Sequence, residues 1–143
     1  MNDIEEAKKK LKESGMKLTT QRIAILQILQ HNKTHPTAMD IYRKLKLRQP
    51  TVSFTTVYNT LELLTHIGEI KKLTLDFERA HYDPDMSQHH HALCLKCGAI
   101  FDIQQSFSLP MESITSEAFP RIVGFHVDFW GFCSACRDAS HDA

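Results

Sequence analysis

The sequence predicts an α+β protein of two small domains, residues 1–83 and residues 84–143. Three observations support this class. The first part holds four segments with helical periodicity followed by a β-hairpin pattern, and the second part alternates strand patterns with one helix. A polar connector, Pro84 to Gln88, lies between them. With 143 residues, 42% of them hydrophobic, the chain can form two small cores but not a large catalytic cleft.

Four helices are predicted in the first domain from apolar residues at helical spacing. The third has the clearest start, because Thr37 with Asp40 three residues later is a capping-box pattern. The predicted limits are Ser14-Gly15 at the end of the first helix, Thr19 or Thr20 and His31 for the second, Thr37 at the start of the third, and Ser53 and Gly68 for the fourth.

After the fourth helix the apolar period changes to two. Leu73, Leu75 and Phe77 alternate, residues 76–78 offer a turn, and residues 79–83 can return as a partner strand. Helices followed by such a hairpin have the order of a winged helix-turn-helix. A small helical bundle with an incidental hairpin is the alternative.

The second domain is predicted to contain three strands and one helix. The helix would begin with Ser108 as its cap, hold Pro110 in its first turn and end before Pro120. The strands are predicted at His89 to Leu95, Ile100 to Ile103 and Val123 to Phe129.

Charge is distributed unequally although the net charge is +0. Residues 1–75 contain 13 Lys and Arg against 7 Asp and Glu, whereas residues 76–143 contain 4 against 10, together with six of the nine histidines. A basic first part suits a polyanion and an acidic, histidine-rich second part suits cations. Solvated charged faces without a partner are the alternative.

The four cysteines form two CxxC pairs, Cys94 with Cys97 and Cys133 with Cys136. No apolar run is long enough for a membrane helix and the chain begins with a charged segment, so we expect a cytoplasmic protein, where structural disulfides are rare. Two such pairs can surround one tetrahedral Zn(II) ion and leave no open position, which indicates a structural site. A redox-active pair is the alternative, but no thioredoxin-like context accompanies it.

The run of three histidines offers a second candidate metal site. Strand alternation places His89 and His91 on one face and His90 on the other. Mixed imidazole and carboxylate ligands suit Fe(II), Mn(II) or Zn(II) better than Ca²⁺ or Mg²⁺. The candidate ligands are His35, Asp83, His89, His91 and Asp102.

These motifs together resemble the ferric uptake regulator family over roughly residues 3–137. The resemblance implies a winged helix, a carboxy-terminal α/β dimerisation domain, and a homodimeric, metal-dependent transcriptional repressor that binds palindromic double-stranded DNA operators. It rests on Lys17-Leu-Thr-Thr-Gln-Arg22, His35-Pro-Thr-Ala38, Thr56-Val-Tyr-Asn-Thr-Leu61, Gly68, His89-His-His91, Cys94-x-x-Cys97-Gly98 and Cys133-x-x-Cys136.

Within the family, the five histidines and aspartates match the regulatory site. Iron-uptake regulators usually have Glu where this chain has Asp83 and Asp102, so the sequence is more similar to the peroxide-sensing branch, in which hydrogen peroxide reacts at Fe(II) and a ligand histidine is oxidised. A zinc-uptake regulator would bring a further cysteine, and this chain has no fifth one. An iron-responsive or other metal-uptake regulator is the alternative.

The chain departs from the family pattern near its end. Only eight residues separate Gly124 from Cys133, fewer than is common in the family, and Leu109 stands where a further metal site often has a carboxylate. We therefore expect that further site to be absent and do not assign His126 as a ligand.

DNA contacts are expected on the fourth helix, opposite its apolar face. Tyr58 matches the family's recognition tyrosine and would pack on a thymine methyl, although burial in the apolar stripe is an equal alternative. The other candidates are Thr55, Thr56, Asn59 and Thr60 on this helix, and Lys17, Arg22, Lys71 and Lys72 as phosphate or minor-groove contacts.

Two other classes remain as rivals, a metalloenzyme and a zinc-ribbon interaction module that does not bind DNA. No HExxH, nucleophile elbow, phosphate-binding loop or dinucleotide fingerprint occurs in the sequence. The sequence therefore predicts that the chain is not an enzyme.

Overall fold

The computed structural model describes residue 1 and residues 3–137, and the chain divides into two compact units. The first unit is Met1–Ser87, and the second begins at Gln88. The first unit includes the connector because two hydrogen bonds hold it there: the amino group of Met1 donates to the carbonyl of Pro84, and Lys71 Nζ donates to that of Ser87.

The first unit contains the four predicted helices, each begun by a side-chain cap. Asp3, Thr19, Thr37 and Ser53 each accept a hydrogen bond from a backbone N–H in the first turn, and Thr37 with Asp40 completes a capping box. The helices are α1 (Ile4–Glu13), α2 (Thr20–Leu29), α3 (Ala38–Lys46) and α4 (Phe54–His66).

One apolar core joins these helices. In α4 the side chains of Val57, Leu61 and Leu64 are completely buried, because they recur at helical spacing on one face. The opposite face of α4 is consequently turned to solvent. The other completely buried core residues are Ala7, Leu11, Ile25, Leu26, Leu29 and Ile41.

A short β-hairpin follows α4, and with α2, α3 and α4 it gives the predicted winged helix-turn-helix order. Its strands, β1 (Lys71–Leu73) and β2 (His81–Asp83), pair antiparallel. The predicted strand through Phe77 is wrong: residues 75–78 form a bend and Phe77 is 90% exposed. The reason is that the carboxylate of Asp76 accepts hydrogen bonds from within the hairpin and closes the turn early.

The second unit is built on a three-stranded sheet. Its strands are β3 (His90–Cys94), β4 (Ile100–Ile103) and β5 (Asp128–Gly131), in the order β4-β3-β5. β3 pairs antiparallel with β4 and parallel with β5. The third strand therefore lies later than the predicted Val123 to Phe129.

The predicted helix of the second unit is reduced to one turn, α5 (Met111–Ile114). Ser108 does not cap it, since Pro110 occupies the cap position without a side-chain hydrogen bond. None of its residues is buried, so packing does not stabilise a longer helix.

In the described part of the chain, no helix combines the length and the apolar character needed to cross a membrane.

Candidate metal centres and nucleic-acid interface

Four cysteine sulfurs come together at one end of the second sheet. Cys94 ends β3, and the turn from it to Cys97 is closed by Gly98 at a φ of 72°. Cys133 and Cys136 follow β5. All four Sγ atoms lie within 4.8 Å of one another, and those of Cys97 and Cys133 are 3.9 Å apart. Sulfurs placed tetrahedrally about 2.3 Å from zinc are about 3.8 Å apart, so the cluster fits a zinc site.

The electrostatics of the cluster favour a cation. Backbone N–H groups, first that of Cys97 and then those of Cys133 and Lys96, lower the pKa of the Cys94 thiol to about 6. The hydrogen bond with Cys133 raises the pKa of the Cys136 thiol to about 12. Four thiolates this close repel one another, and a divalent cation relieves that repulsion.

The first unit brings together two of the predicted regulatory ligands, His35 and Asp83. Asp83 ends β2, and its Oδ2 lies 3.9 Å from Nε2 of His35. Both side chains are buried. His35 has a left-handed backbone with a φ of 49°, which is uncommon for a residue with a side chain.

The loop that carries His35 is fixed to β2 by backbone and side-chain hydrogen bonds. Tyr82 N donates to the Pro36 carbonyl at 2.9 Å, and His81 Nδ1 lies 2.7 Å from the His35 carbonyl oxygen. The other ring nitrogen of His81 is 3.0 Å from Asp76 Oδ2. His81 was not among the site residues predicted from the sequence, although alternation along β2 places it on the same side as Asp83.

The second unit brings together the other three predicted ligands. In the register of β3 and β4, His91 stands opposite Asp102. Asp102 Oδ1 lies 3.3 Å from His89 Nε2 and 3.8 Å from His91 Nε2, and the two imidazole rings are 4.6 Å apart. His90 is directed elsewhere: its Nδ1 accepts from Val127 N at 3.0 Å.

Each unit thus offers imidazole nitrogen and carboxylate oxygen at close range. This donor set suits Fe(II), Mn(II) or Zn(II) and is poorly suited to Ca²⁺ or Mg²⁺. The side chains therefore fit the metal chemistry that the sequence predicts. The first set is His35 and Asp83, and the second is His89, His91 and Asp102.

The residues considered for a further metal site lie on the surface of the second unit. Leu109 is exposed, and His126 is 76% exposed with its Nε2 3.5 Å from Asp128 Oδ2. The absence of a further site remains a prediction.

The solvent face of α4 presents four of the five DNA-contacting side chains that were predicted on this helix. Thr55 and Asn59 are exposed, and Thr56 is partly exposed with its hydroxyl 2.9 Å from that of Ser53. The expectation for Thr60 is wrong, because only 1% of it is exposed and its hydroxyl donates to the Thr56 carbonyl. Thr60 lies on the buried face with Val57 and Leu64, at helical spacing.

Tyr58 is 41% exposed, which contradicts the burial alternative. Its ring stacks on Phe54, with centroids 6.4 Å apart, and Lys72 Nζ lies 5.8 Å from its centroid. Lys72 also donates to Glu62 at 2.8 Å, so the hairpin is joined to α4. The Tyr82 hydroxyl donates to the same carboxylate at 3.1 Å.

The other three of the four predicted basic contacts differ in their surroundings. Lys17 is exposed. Arg22 donates from Nη1 to the Lys17 carbonyl at 2.6 Å, and Lys71 donates to Ser87, so each of these two cations also has a protein partner.

Comparison with known proteins identifies the family. The sequence profile of the ferric uptake regulator family matches residues 13–119. The chain is 36% identical to the peroxide operon regulator of Bacillus subtilis over 140 residues, covering 94% of each protein. Its fold is similar to that of the Helicobacter pylori ferric uptake regulator, with a TM-score of 0.76, 20% identity and 95% of each chain covered. The fold is also similar to that of PerR from Streptococcus pyogenes, which functions in peroxide sensing and gene regulation. The TM-score is 0.55 at 28% identity, and the match covers 95% of this chain and 94% of that one.

The chain therefore belongs to the ferric uptake regulator family. It is a DNA-binding, dimeric transcriptional regulator and not an enzyme. The four-cysteine cluster can hold a structural Zn(II) ion, and the histidine and aspartate side chains can hold a regulatory Fe(II) or Mn(II) ion. The predicted fold class, a winged helix followed by a small α/β domain with a four-cysteine zinc site, is confirmed.

Proposed function

We propose that this protein is a peroxide-responsive repressor whose DNA binding depends on a regulatory Fe(II) or Mn(II) ion. The observation that carries the proposal is the pairing of imidazole with aspartate, and not glutamate, in both units: His35 with Asp83, and His89 with Asp102. The 36% identity to a peroxide operon regulator over 94% of the chain supports it.

We propose further that both donor sets bind one regulatory ion. The family resemblance of all five residues supports this assignment, as does the match of their donor chemistry to Fe(II) and Mn(II). An ion held by residues of both units restricts their relative orientation, and metal binding then selects the DNA-binding conformation. The proposed ligands are His35, Asp83, His89, His91 and Asp102.

On the DNA side, we propose that a homodimer reads a palindromic operator with the exposed face of α4. The two copies of α4 would enter successive major-groove half-sites, whose spacing the dimer sets. A repressor acts where the genome is, so we place it in the cytoplasm. The proposed contacts are Thr55, Thr56, Tyr58 and Asn59 to bases or phosphates, and Lys17, Arg22 and Lys71 to the backbone or minor groove.

The signal is proposed to be hydrogen peroxide. Bound Fe(II) supplies the redox chemistry that activates peroxide at the site. One peroxide oxygen would then be inserted into a ring C–H bond of His35 or His89, with the hydrogen retained on the new oxygen or moved to a ring nitrogen, while the other peroxide oxygen leaves as water. Two electrons leave the ring and two enter the O–O bond, so the exchange balances. The oxidised ring is a poorer ligand, and the protein releases DNA.

Operator binding by the zinc-loaded protein tests this function. Under anaerobic conditions, Fe(II) and Mn(II) should each support binding, and dilute hydrogen peroxide should abolish only the Fe(II)-dependent binding. Peptide mass spectrometry should then find one added oxygen on His35 or His89. If the Fe(II) protein loses no affinity and gains no oxygen, the protein is a metal-uptake regulator and the peroxide assignment is wrong.

A further inference from the structure

The buried histidine beside the proposed regulatory ligands has no assigned role. His81 in β2 has only 6% of its surface exposed and makes two hydrogen bonds that reach beyond its own strand. Nδ1 lies 2.7 Å from the carbonyl oxygen of His35, and Nε2 lies 3.0 Å from Oδ2 of Asp76. The ring therefore joins the turn of the hairpin to the loop that carries a proposed metal ligand.

His81 contacts the backbone of His35, which has an energetically unfavourable conformation. His35 has a φ of 49°, and the next residue is Pro36, which supplies no N–H to hold the loop. A non-glycine residue keeps a left-handed backbone only where its surroundings determine it. Here the determining contacts are the His81 bond to the His35 carbonyl and the bond from Tyr82 N to the Pro36 carbonyl.

Asp76 in turn fixes the His81 ring. Its carboxylate accepts hydrogen bonds from His81 and from Glu78 N, each at 3.0 Å, and forms an ion pair with Arg79, whose Nε lies 3.3 Å from Oδ2, so its position is determined from three sides. Burial alone raises the pKa of Asp76, but the hydrogen bonds from His81 and Glu78 outweigh it and hold the pKa below its ordinary value. The His81 ring thus lies between two oxygen atoms, the carbonyl oxygen of His35 and the carboxylate of Asp76.

We infer that His81 is a positioning residue for the regulatory metal: braced by Asp76, it holds the His35 backbone in the conformation that directs the imidazole to the ion. This inference rests on the proposed function. Partners that orient a metal ligand typically affect metal affinity about 10- to 100-fold. His81 acts through the backbone carbonyl of the ligand residue, and the hairpin turn is thereby part of the metal site.

Two isosteric variants separate positioning from general stability. In His81→Asn the amide nitrogen stands where Nδ1 does, so the bond to the His35 carbonyl is kept and the bond to Asp76 is lost. In His81→Gln the amide reaches Asp76 but not the carbonyl. Both variants lose one of two buried hydrogen bonds, so their melting temperatures should fall similarly, whereas their metal affinities should differ.

The measurement is Mn(II) titration of the full-length, zinc-loaded protein, followed by the electron paramagnetic resonance of free Mn(II). We expect His81→Gln and His81→Ala to weaken Mn(II) binding about 10- to 100-fold, and His81→Asn to stay nearer the wild type. The exposed His66→Ala is the matched control and should bind normally. In a His35→Ala background the His81→Gln effect should disappear, because the residue it positions is gone.

Separate results would contradict the proposed regulatory site and the positioning role of His81. If His89→Ala leaves Mn(II) affinity unchanged, the proposed regulatory site itself is wrong. If His89→Ala weakens binding but His81→Gln and His81→Asn bind equally well, or His81→Gln acts equally in the His35→Ala background, His81 is structural and the positioning role is wrong. The His81→Asn and His81→Gln variants distinguish a positioning role from a structural one even if His81→Ala does not fold.

Discussion

The carboxylate of Asp102 lies 3.3 Å from Nε2 of His89, while the backbone of Asp102 stands opposite His91 in the sheet. One short acidic side chain thus reaches two imidazoles from the neighbouring strand. Aspartate has one methylene fewer than glutamate, so the length of this side chain determines how closely its oxygens approach a metal held by the two rings.

Asp102→Glu should therefore keep metal-dependent operator binding and reduce peroxide sensitivity. The donor atom is unchanged, so Mn(II) affinity should stay within about tenfold, while the longer chain covers the position that peroxide needs. The measurement is the rate of oxygen addition to the histidines of the Fe(II) protein at fixed peroxide. An unchanged rate would show that carboxylate length does not control peroxide access. Asp128→Glu, on β5, is the matched control.

The zinc site gives a prediction about folding. Cys133→Ser should lose about one zinc ion per chain and weaken the dimer, because metal binding at a four-thiolate site is coupled to folding. Zinc content by elemental analysis and dimer content by sedimentation check this. Ser134→Ala, next to Cys133 and outside the sulfur cluster, should retain both. Full zinc and an intact dimer in Cys133→Ser would exclude the structural role.

The sequence predicted the four helices of the first unit and the clustering of the four cysteines because local signals are strong there. Thr37 with Asp40, and the CxxC spacings, act within a few residues and do not depend on distant packing. Strand alternation likewise separated His90 from its two neighbours.

The sequence predictions that are wrong lie where tertiary contacts determine the structure. The helix after Pro110 was predicted from its boundary residues alone, yet no side chain of α5 is buried to hold a longer helix. The hairpin closed early because the Asp76 carboxylate accepts hydrogen bonds from Glu78 N and His81, and the alternation of apolar residues does not indicate such bonds. Thr60 was wrongly predicted to be exposed because threonine is a polar residue. Its hydroxyl is buried and donates a hydrogen bond to the Thr56 carbonyl within the same helix.

A pair of matched substitutions tests the DNA-reading face of α4. Thr55→Val and Thr60→Val make the same chemical change, removal of a hydroxyl, at an exposed and at a buried position. Thr55→Val should weaken operator binding by about 1 kcal/mol or more with little effect on melting temperature. Thr60→Val should leave operator affinity unchanged. Gel-shift titration with Mn(II) measures the affinities, and equal losses for both variants would contradict the assigned orientation of α4.

The contact between Glu62 and Lys72 predicts a pH dependence. The hydrogen bond from Lys72, with a second one from Tyr82, lowers the pKa of Glu62 below its ordinary value of 4.5. A lowered folded-state pKa contributes stability that is fully present above 4.5 and is lost as the pH falls through the lowered value. Carbon-detected NMR titration of the Glu62 carboxyl should show this lowered pKa, and in Lys72→Met the Glu62 pKa should return toward 4.5.

Because the same hydrogen bond joins β1 to α4 beside Tyr58, Lys72→Met should also weaken operator binding. The exposed Lys12→Met should change neither the Glu62 pKa nor the operator affinity. An unshifted Glu62 in the wild type would mean that Lys72 does not hold the hairpin against the helix.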